Sequence, residues 1–144
     1  MAIPVLEIIL TESPLEAPTK NLRGDAGAMV EFWGVVRSFE DGREIEGINY
    51  EAHGDMAKHQ LKRIAEQAAE QFRLKLVTIH HRIGFIAVGE PSLVVSVASP
   101  HRIEGFRAAQ WIVDELKKKV PIWKRPRFTI DNEHHAACNV AVPL

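Results

Sequence analysis

The sequence contains a single cysteine, Cys138, and no apolar run long enough to cross a lipid bilayer. One cysteine cannot form a disulfide within the chain, which is consistent with a reducing compartment. The longest apolar stretches, such as residues 93–98, fall far short of the roughly 20 residues that a membrane-spanning helix needs. The N-terminus also lacks a basic region followed by an apolar core, so no secretory signal is predicted. We therefore expect a soluble, cytoplasmic protein.

A strong excess of either charge is also absent, because 18 Lys and Arg face 19 Asp and Glu, for a formal net charge of -1. This balance argues against a surface that is basic all over, as in many duplex-DNA-binding proteins. No internal repeat, low-complexity segment or linker is found either. A chain of 144 residues, 46% of them hydrophobic, can bury a core of its own. The sequence therefore predicts a single domain over residues 1–144.

Two segments place apolar residues at helical spacing. The first helix is expected over residues 55–72, with this apolar face: Ala57, Leu61, Ile64, Ala65, Ala68 and Phe72. The second is expected to have Ser99 as its N-cap and Pro100 as its first helical residue, and to end before Pro121. Its predicted apolar stripe comprises Ile103, Phe106, Ala109, Val113, Leu116 and Val120.

Apolar, β-rich runs separated by turn residues predict the strands. They are expected at residues 6–10, 28–36, 45–52, 74–83 and 92–99, with a last hairpin formed by residues 127–130 and 136–142. The Asp-Gly pair within residues 38–44 predicts a mobile hairpin loop, and residues 11–20 are expected to hold a short helix. Strands interleaved with two long helices, in a sheet built partly from hairpins, predict an α+β fold.

One basic run, "KKKVPIWKRPRF" at residues 117–128, holds six cations and no acid. Lys118 and Lys119 each have an acidic residue four positions earlier, the favourable spacing for helical ion pairs, whereas Lys117 has Val113 there. Lys117 is therefore expected to leave the helix beside the apolar stripe, partly desolvated and close to other cations. Such a lysine can act as a nucleophile or a proton carrier. The alternative is an aliphatic stem that covers the core and carries its ammonium into solvent.

Two basic residues, His101 and Arg102, are predicted in the first turn of the second helix. Cations oppose the helix macrodipole at that end, and a bound phosphate or carboxylate would remove the conflict. The alternative is that both side chains simply point into solvent.

Trp123 and Lys124 follow Pro121 and pair a flat aromatic surface with a cation. Together they can hold a planar heterocycle that bears a phosphate. A core tryptophan beside a solvated lysine is the other interpretation.

Four segments resemble the large, catalytic subunit of molybdopterin synthase, the MoaE family. They are "GAMVEFWGVVR" (27–37), "INYEAHGDMA" (48–57), "HRIG" (81–84) and "VASPHRIEGFRAAQWIVDELKKKVPIWKR" (97–125). The segments follow the family's order and intervals over residues 4–125. The resemblance implies an α/β-hammerhead domain with a mainly antiparallel sheet and two long helices.

Membership of that family implies an enzyme that transfers sulfur and needs no metal and no cofactor of its own. A small ubiquitin-like carrier subunit ends in Gly-Gly, and its thiocarboxylate delivers sulfur to cyclic pyranopterin monophosphate. Two transfers generate the dithiolene of molybdopterin. The resemblance also implies a homodimer that binds one carrier at each end, as a heterotetramer, and no nucleic acid or membrane partner.

The resemblance places Lys117 and Lys124 at the catalytic centre. Lys117 is expected to act on the carrier terminus or the intermediate, and Lys124 to support the developing charge. The residues expected to bind substrate are Phe32, Arg37, His101, Arg102, Trp123 and Arg125. A cationic pocket without a metal suits this chemistry because thiocarboxylate, phosphate and developing thiolate are all anions.

The resemblance ends near Arg125, so residues 126–144 form a divergent C-terminal segment. The family commonly has an acid where this chain has Pro126, and an arginine in a C-terminal arm, whereas residues 128–144 contain no Lys or Arg. His134, His135 and Cys138 match no common zinc spacing, so no metal site is predicted.

Two other classes of function stay open from the sequence. One is a non-catalytic relative that keeps the carrier-binding surface but has lost turnover. The other is a nucleotide-binding or single-stranded RNA-binding module, in which Trp123 stacks on a base and the lysines follow the phosphates.

Overall fold

The structure, a computed structural model, describes residues 3–18, 24–129 and 141–144. These residues form two helices, α1 (Gly54–Gln71) and α2 (Arg102–Lys119). The strands are β1 (Val5–Thr11), β2 (Ala28–Val35), β3 (Phe39–Glu40), β4 (Arg43–Ala52), β5 (Leu76–Arg82), β6 (Gly84–Ala87), β7 (Pro91–Ser99), β8 (Ile122–Phe128) and β9 (Val142–Pro143). The predicted α+β class is confirmed.

Two expectations from the sequence fall wholly or partly outside the described residues. Residues 12–18 form no helix, so the expected short helix is wrong over that part of the chain. Most of the turn and the second strand of the last hairpin, including His134, His135 and Cys138, lies outside the described residues.

The first sheet has the strand order β1-β5-β7-β2. The β1–β5 pair is parallel, and the other two pairs are antiparallel. Residues 92–99 of β7 are all buried, because β7 lies between two strands and α2 packs against it. Among the described residues β2 is an edge strand, and its end leads towards Arg37.

The second sheet is built around β4, which pairs with β3 and β6 along one side and with β8 along the other. Strand β9 adds to the far side of β8. The sequence predicts no strand at β6, because its four residues begin with Gly84 and are closely followed by Gly89, and glycine is typical of turns. The start of β8 was also placed too late, at residue 127. The chain enters this strand at Ile122, directly after Pro121.

The apolar face predicted for helix α1 is confirmed. Phe72 is the C-cap of this helix and is only partly buried. Helix α2 begins later than expected. His101 is its N-cap, without a side-chain cap, and the Ser99 hydroxyl instead donates a hydrogen bond of 2.6 Å to the His101 carbonyl. Because Ser99 is still the last residue of β7, it is committed to the sheet and cannot cap the helix.

The buried face of α2 also differs from the predicted stripe. Ile103 and Phe106 are 55% and 63% exposed. The residues that pack inward are Gly105, Ala108, Ala109, Ile112 and Leu116. A Cβ on Gly105 would lie 3.1 Å from Val30 Cγ2, so small residues let α2 approach β2 and β7 closely.

Neither α1 nor α2, the two helices among the described residues, combines the length and apolar composition needed to span a membrane.

Candidate functional site

A cleft of about 360 Å³ lies where the end of α2 meets both sheets. Strand β2 and the residues that follow it form one wall, and β4 and β8 form another. The lining residues are Phe32, Trp33, Gly34, Val35, Val36, Arg37, Glu40, Ile48, Tyr50, His81, Ser92, Leu93, Leu116, Lys117, Lys124 and Leu144.

Four of the predicted site residues meet in this cleft: Phe32, Arg37, Lys117 and Lys124. Phe32 lies on β2 and is 38% exposed. Arg37 follows the end of β2, Lys117 lies in the last turn of α2, and Lys124 lies on β8. Because Pro121 ends α2 and β8 then pairs antiparallel with β4, the chain returns Lys124 to the end of the helix that carries Lys117.

Lys124 is held in the cleft by an ion pair. Its Nζ donates to Glu40 Oε1 at 2.5 Å, and the two side chains are only 24% and 13% exposed. Side chains alternate along a strand, so Lys124 shares the inner face of β8 with the buried Ile122 and Pro126. The cation therefore faces the cleft in a defined position.

Lys117 is exposed at the rim of the cleft, which agrees with the alternative that its ammonium reaches solvent and not with partial desolvation. The end of α2 presents the three lysines to solvent, and the buried residue there is Leu116. The predicted pair of Lys119 with Glu115 is present at 3.3 Å. Lys118 forms no ion pair with Asp114 within the residues that the structure describes.

Trp123 and Arg125 do not line the cleft. They occupy the outward-facing positions of β8, on the opposite face from Lys124. Arg125 Nη2 instead lies 3.6 Å from Glu51 Oε1. The structure therefore separates Trp123 from Lys124, the two residues that were paired to hold an aromatic ring and its phosphate.

His101 and Arg102 also lie apart from the cleft of their own chain. Both are exposed at the N-terminal end of α2, and Lys117 is near its C-terminal end. The rise of an α-helix places Arg102 and Lys117 about 22 Å apart along the axis. The substrate-binding roles predicted for these two residues and for Trp123 and Arg125 therefore stay predictions. None of the four residues lines the cleft.

The sequence missed the floor of the cleft, formed by Tyr50, His81 and Ser92. The Tyr50 and His81 rings meet edge to face, with centroids 5.3 Å apart. Burial raises the pKa of Tyr50 above its usual value, although a hydrogen bond with Ser92 and the charge of Lys124 oppose the rise. Tyr50 is the register partner of Lys124 on β4, so the predicted strands would have placed them together had β8 been recognised.

His81 is a neutral imidazole at neutral pH. Its ring is buried, which lowers its pKa to about 4, and Nδ1 lies 2.7 Å from the carbonyl oxygen of Arg82. Because a carbonyl only accepts, Nδ1 carries the proton and donates it in this bond. The floor of the cleft is therefore uncharged, with a phenol and an imidazole beneath the cations.

Among the described residues, the side chains that line the cleft include three cations, Arg37, Lys117 and Lys124, and one carboxylate, Glu40. This arrangement suits an anionic ligand, and the arginine fork suits a phosphate or carboxylate in particular. Within residues 3–18, 24–129 and 141–144, no group of three or more His, Cys, Asp and Glu is placed to hold a metal ion.

Comparison with known proteins identifies relatives in sequence and in fold. The family model described as "MoaE protein" matches residues 10–119. The molybdopterin synthase catalytic subunit of Pyrococcus abyssi is 42% identical over 114 residues, which cover 76% of this chain and 77% of that protein.

Two solved structures share the fold. The crystal structure of molybdopterin synthase from Staphylococcus aureus superposes with a TM-score of 0.76 at 30% identity, over 87% of this chain and 92% of that one. A Helicobacter pylori complex of subunits 1 and 2 of molybdopterin-converting factor matches with a TM-score of 0.65 at 19% identity, over 96% of this chain and 88% of that one, and shows the fold alone. The match of the family model over most of the chain, together with these likenesses, shows that the chain belongs to the MoaE protein family.

Proposed function

We propose that this protein is the catalytic subunit of a molybdopterin synthase. It transfers sulfur from the thiocarboxylated C-terminus of a small carrier subunit to cyclic pyranopterin monophosphate, and two such transfers form the dithiolene of molybdopterin. The sulfur comes from the carrier, so the reaction needs no cofactor bound to this chain, and it takes place in the cytoplasm. Membership of the MoaE family and the 42% identical relative support this activity.

The observation that carries the proposal is the convergence of Arg37, Lys117 and Lys124 in one cleft from three separate parts of the fold. The carrier thiocarboxylate and the substrate phosphate are both anions, and negative charge also develops on sulfur and oxygen during transfer. Cations that are already in place stabilise such charge without reorganisation during the reaction. The uncharged floor beneath them, with Tyr50, His81 and Ser92, adds no negative charge that would repel these anions.

The three cations differ in what they can do. Lys117 is exposed at the rim, so its flexible ammonium can reach a carrier tail as the tail enters. Lys124 is fixed against Glu40 and stabilises charge at one position. Arg37 presents a planar fork suited to the substrate phosphate, and the Phe32 ring forms an apolar wall beside it.

The proposed partner is a small ubiquitin-like carrier with a Gly-Gly C-terminus. A complex of two molybdopterin-converting subunits is known for the Helicobacter pylori relative in fold. The cleft is an open recess, into which an extended two-glycine tail fits because glycine has no side chain to clash. We propose further that the chain forms a homodimer, with one carrier for each protomer.

The test is single-turnover dithiolene formation with preformed carrier thiocarboxylate and cyclic pyranopterin monophosphate. We expect dithiolene to form at a rate that depends on this chain, and unactivated carrier, which ends in a carboxylate, serves as the control. Carrier binding without dithiolene formation would instead identify a non-catalytic carrier-binding relative. That second candidate is favoured by one observation, that the match to the family model ends at residue 119, before the cleft residue Lys124.

A titration with single-stranded RNA at two salt concentrations tests the remaining alternative. We expect no saturable binding, because Trp123 and Lys124 face opposite sides of β8 and cannot bind one nucleotide together.

A further inference from the structure

Among the described residues, Glu40 is the one acidic side chain that lines the cleft, and the resemblance to the family gave it no role. It lies on the two-residue strand β3, which pairs with the start of β4. The turn between them has Asp41 and Gly42 at φ values of 52° and 75°, the left-handed pair that a tight two-residue hairpin requires. This turn folds Glu40 back over the cleft, where its carboxylate binds Lys124.

The ion pair with Glu40 makes Lys124 different from the other two cations of the cleft. Within the described residues, Arg37 and Lys117 form no ion pair, whereas Lys124 is bound to Glu40. Arg37 and Lys117 are exposed and Lys124 is largely covered. An incoming anion therefore meets two cations that are free to bind it and a third that already holds a carboxylate.

A carboxylate on Lys124 has two physical consequences. It restrains an ammonium that otherwise moves on a flexible four-carbon stem, so the charge stays at one point over the cleft. It also cancels part of the positive potential, which weakens the binding of any anion, including a spent carrier tail that ends in a carboxylate like Glu40 itself.

We propose that Glu40 is a positioning residue that fixes Lys124 in place. As a counter-ion of Lys124, it also weakens the binding of anions in the cleft. The proposal rests on the function proposed above for its catalytic part, because it assumes that Lys124 stabilises charge during sulfur transfer. The counter-ion part concerns anion binding alone and is measured separately.

The informative variant is Glu40→Gln, which keeps the size and removes the charge. We expect it to bind inorganic phosphate and the unactivated, carboxylate-ended carrier about three- to tenfold more tightly, because one opposing charge is gone. We expect the single-turnover rate of sulfur transfer to fall about tenfold, because Lys124 is no longer held in place. Tighter anion binding together with slower sulfur transfer is not expected from a loss of folding, because unfolding weakens binding as well as catalysis.

Two further variants make the result specific. Glu44→Gln removes the same charge from the same hairpin, but Glu44 is exposed and does not line the cleft, so both quantities are expected to stay within about twofold of the unmodified protein. Glu40→Asp keeps the charge on a shorter side chain. We expect nearly unchanged phosphate affinity and a rate between those of the unmodified protein and Glu40→Gln.

Calorimetric titration gives the affinities, and a thermal melt checks that each variant is folded. Unchanged or weaker anion binding by folded Glu40→Gln overturns the proposal, and so does tighter binding by Glu40→Asp, which stands in if Glu40→Gln does not fold. An unmodified protein that transfers no sulfur overturns the proposed function, whereas tighter phosphate binding by Glu40→Gln in the same protein still supports the counter-ion role.

Discussion

At the scale of single residues, the lysines of the 117–128 run share a charge but not an environment. Lys119 pairs with Glu115 on the surface of α2, and Lys124 pairs with Glu40 inside the cleft. Lys117 lines the cleft and has no ion-pair partner among the described residues. Position relative to the cleft, and not charge, therefore distinguishes Lys117 and Lys124, which we propose act on the substrate, from Lys118 and Lys119.

We predict that Lys117→Ala removes most sulfur transfer while the protein stays folded and still binds the carrier. Lys118→Ala is the matched control, since it deletes the same group one residue further along and outside the cleft. Lys119→Ala is expected to lower the free energy of unfolding by about 0.3–0.5 kcal/mol, the value of one exposed helical ion pair, without affecting transfer. Single-turnover rates and thermal melts measure both effects. Equal rates for the Lys117 and Lys118 variants would contradict the catalytic role.

The lowered pKa of His81 predicts how the stability of the protein depends on pH. Its pKa is about 4 in the folded protein against 6.5 for a free histidine, so below pH 6.5 the unfolded chain binds a proton that the folded chain excludes. Stability is therefore lost as the pH falls from 6.5 to 4, and His81 contributes up to about 3 kcal/mol to that loss.

Urea unfolding between pH 7.5 and 4.5 checks this, with His81→Gln as the test variant and exposed His59→Gln as the control. The first variant is expected to lose stability less steeply as the pH falls, and the second to follow the unmodified protein. Parallel curves for all three would show that His81 does not titrate in this way.

At the scale of the elements, helix α2 shows why the apolar stripe was only partly correct. The prediction selected large side chains, Ile103 and Phe106 among them, because large apolar groups gain most from burial. The helix instead turns Gly105 and Ala108 towards the sheet, since these small residues allow the backbones to approach. Close packing against a particular surface thus outweighed apolar size at the start of this helix.

Strand β6 depends on a glycine in its partner strand. A Cβ on Gly47 would lie 2.5 Å from the Ile86 carbonyl oxygen and 2.5 Å from the Phe85 ring. We predict that Gly47→Ala forces β4 and β6 apart and lowers the free energy of unfolding by about 1–3 kcal/mol. Gly54→Ala is the control, because nothing lies within 4 Å of a Cβ there. At the start of α1, that change is expected to be neutral or to stabilise by up to about 1 kcal/mol. Denaturant unfolding would contradict the close-approach explanation if both variants were equally stable.

At the scale of the whole molecule, α2 and β2 leave apolar surface uncovered in a single chain. Ile103 and Phe106 on α2 and Val35 on β2 are all more than half exposed. Edge strands and exposed apolar patches are surfaces that proteins commonly cover with a partner.

We predict that the chain sediments as a homodimer with twice the 16.2 kDa mass of one chain, and that it binds two carriers. Sedimentation of the mixed proteins measures this stoichiometry. A carrier lacking its Gly-Gly terminus is the control, and it is expected to bind more weakly because its tail cannot enter the cleft. A strictly monomeric chain that ignores the carrier would contradict both parts.

The sequence alone determined the two helices, most of the strands and the Asp-Gly turn at residues 41–42, because periodicity and turn residues are local properties of a chain. The residues four positions earlier in the sequence also distinguished Lys117, which follows Val113, from Lys118 and Lys119, which follow acids. It could not show that β8 begins at Ile122, since pairing with β4 decides that boundary. The face of β8 on which Trp123 lies follows from the same pairing.

Only the tertiary structure decided which residues share the cleft. Arg37, Glu40, Lys117 and Lys124 come from the β2–β3 connection, β3, α2 and β8, and only the packing of these parts of the chain places them around one space. Glu40 carried no signal in the sequence, because an acid in a hairpin is ordinarily solvated and pairs with Lys124 only through contacts 84 residues apart. Local chemistry specified the elements of this protein, and the long-range pairing of strands specified its site.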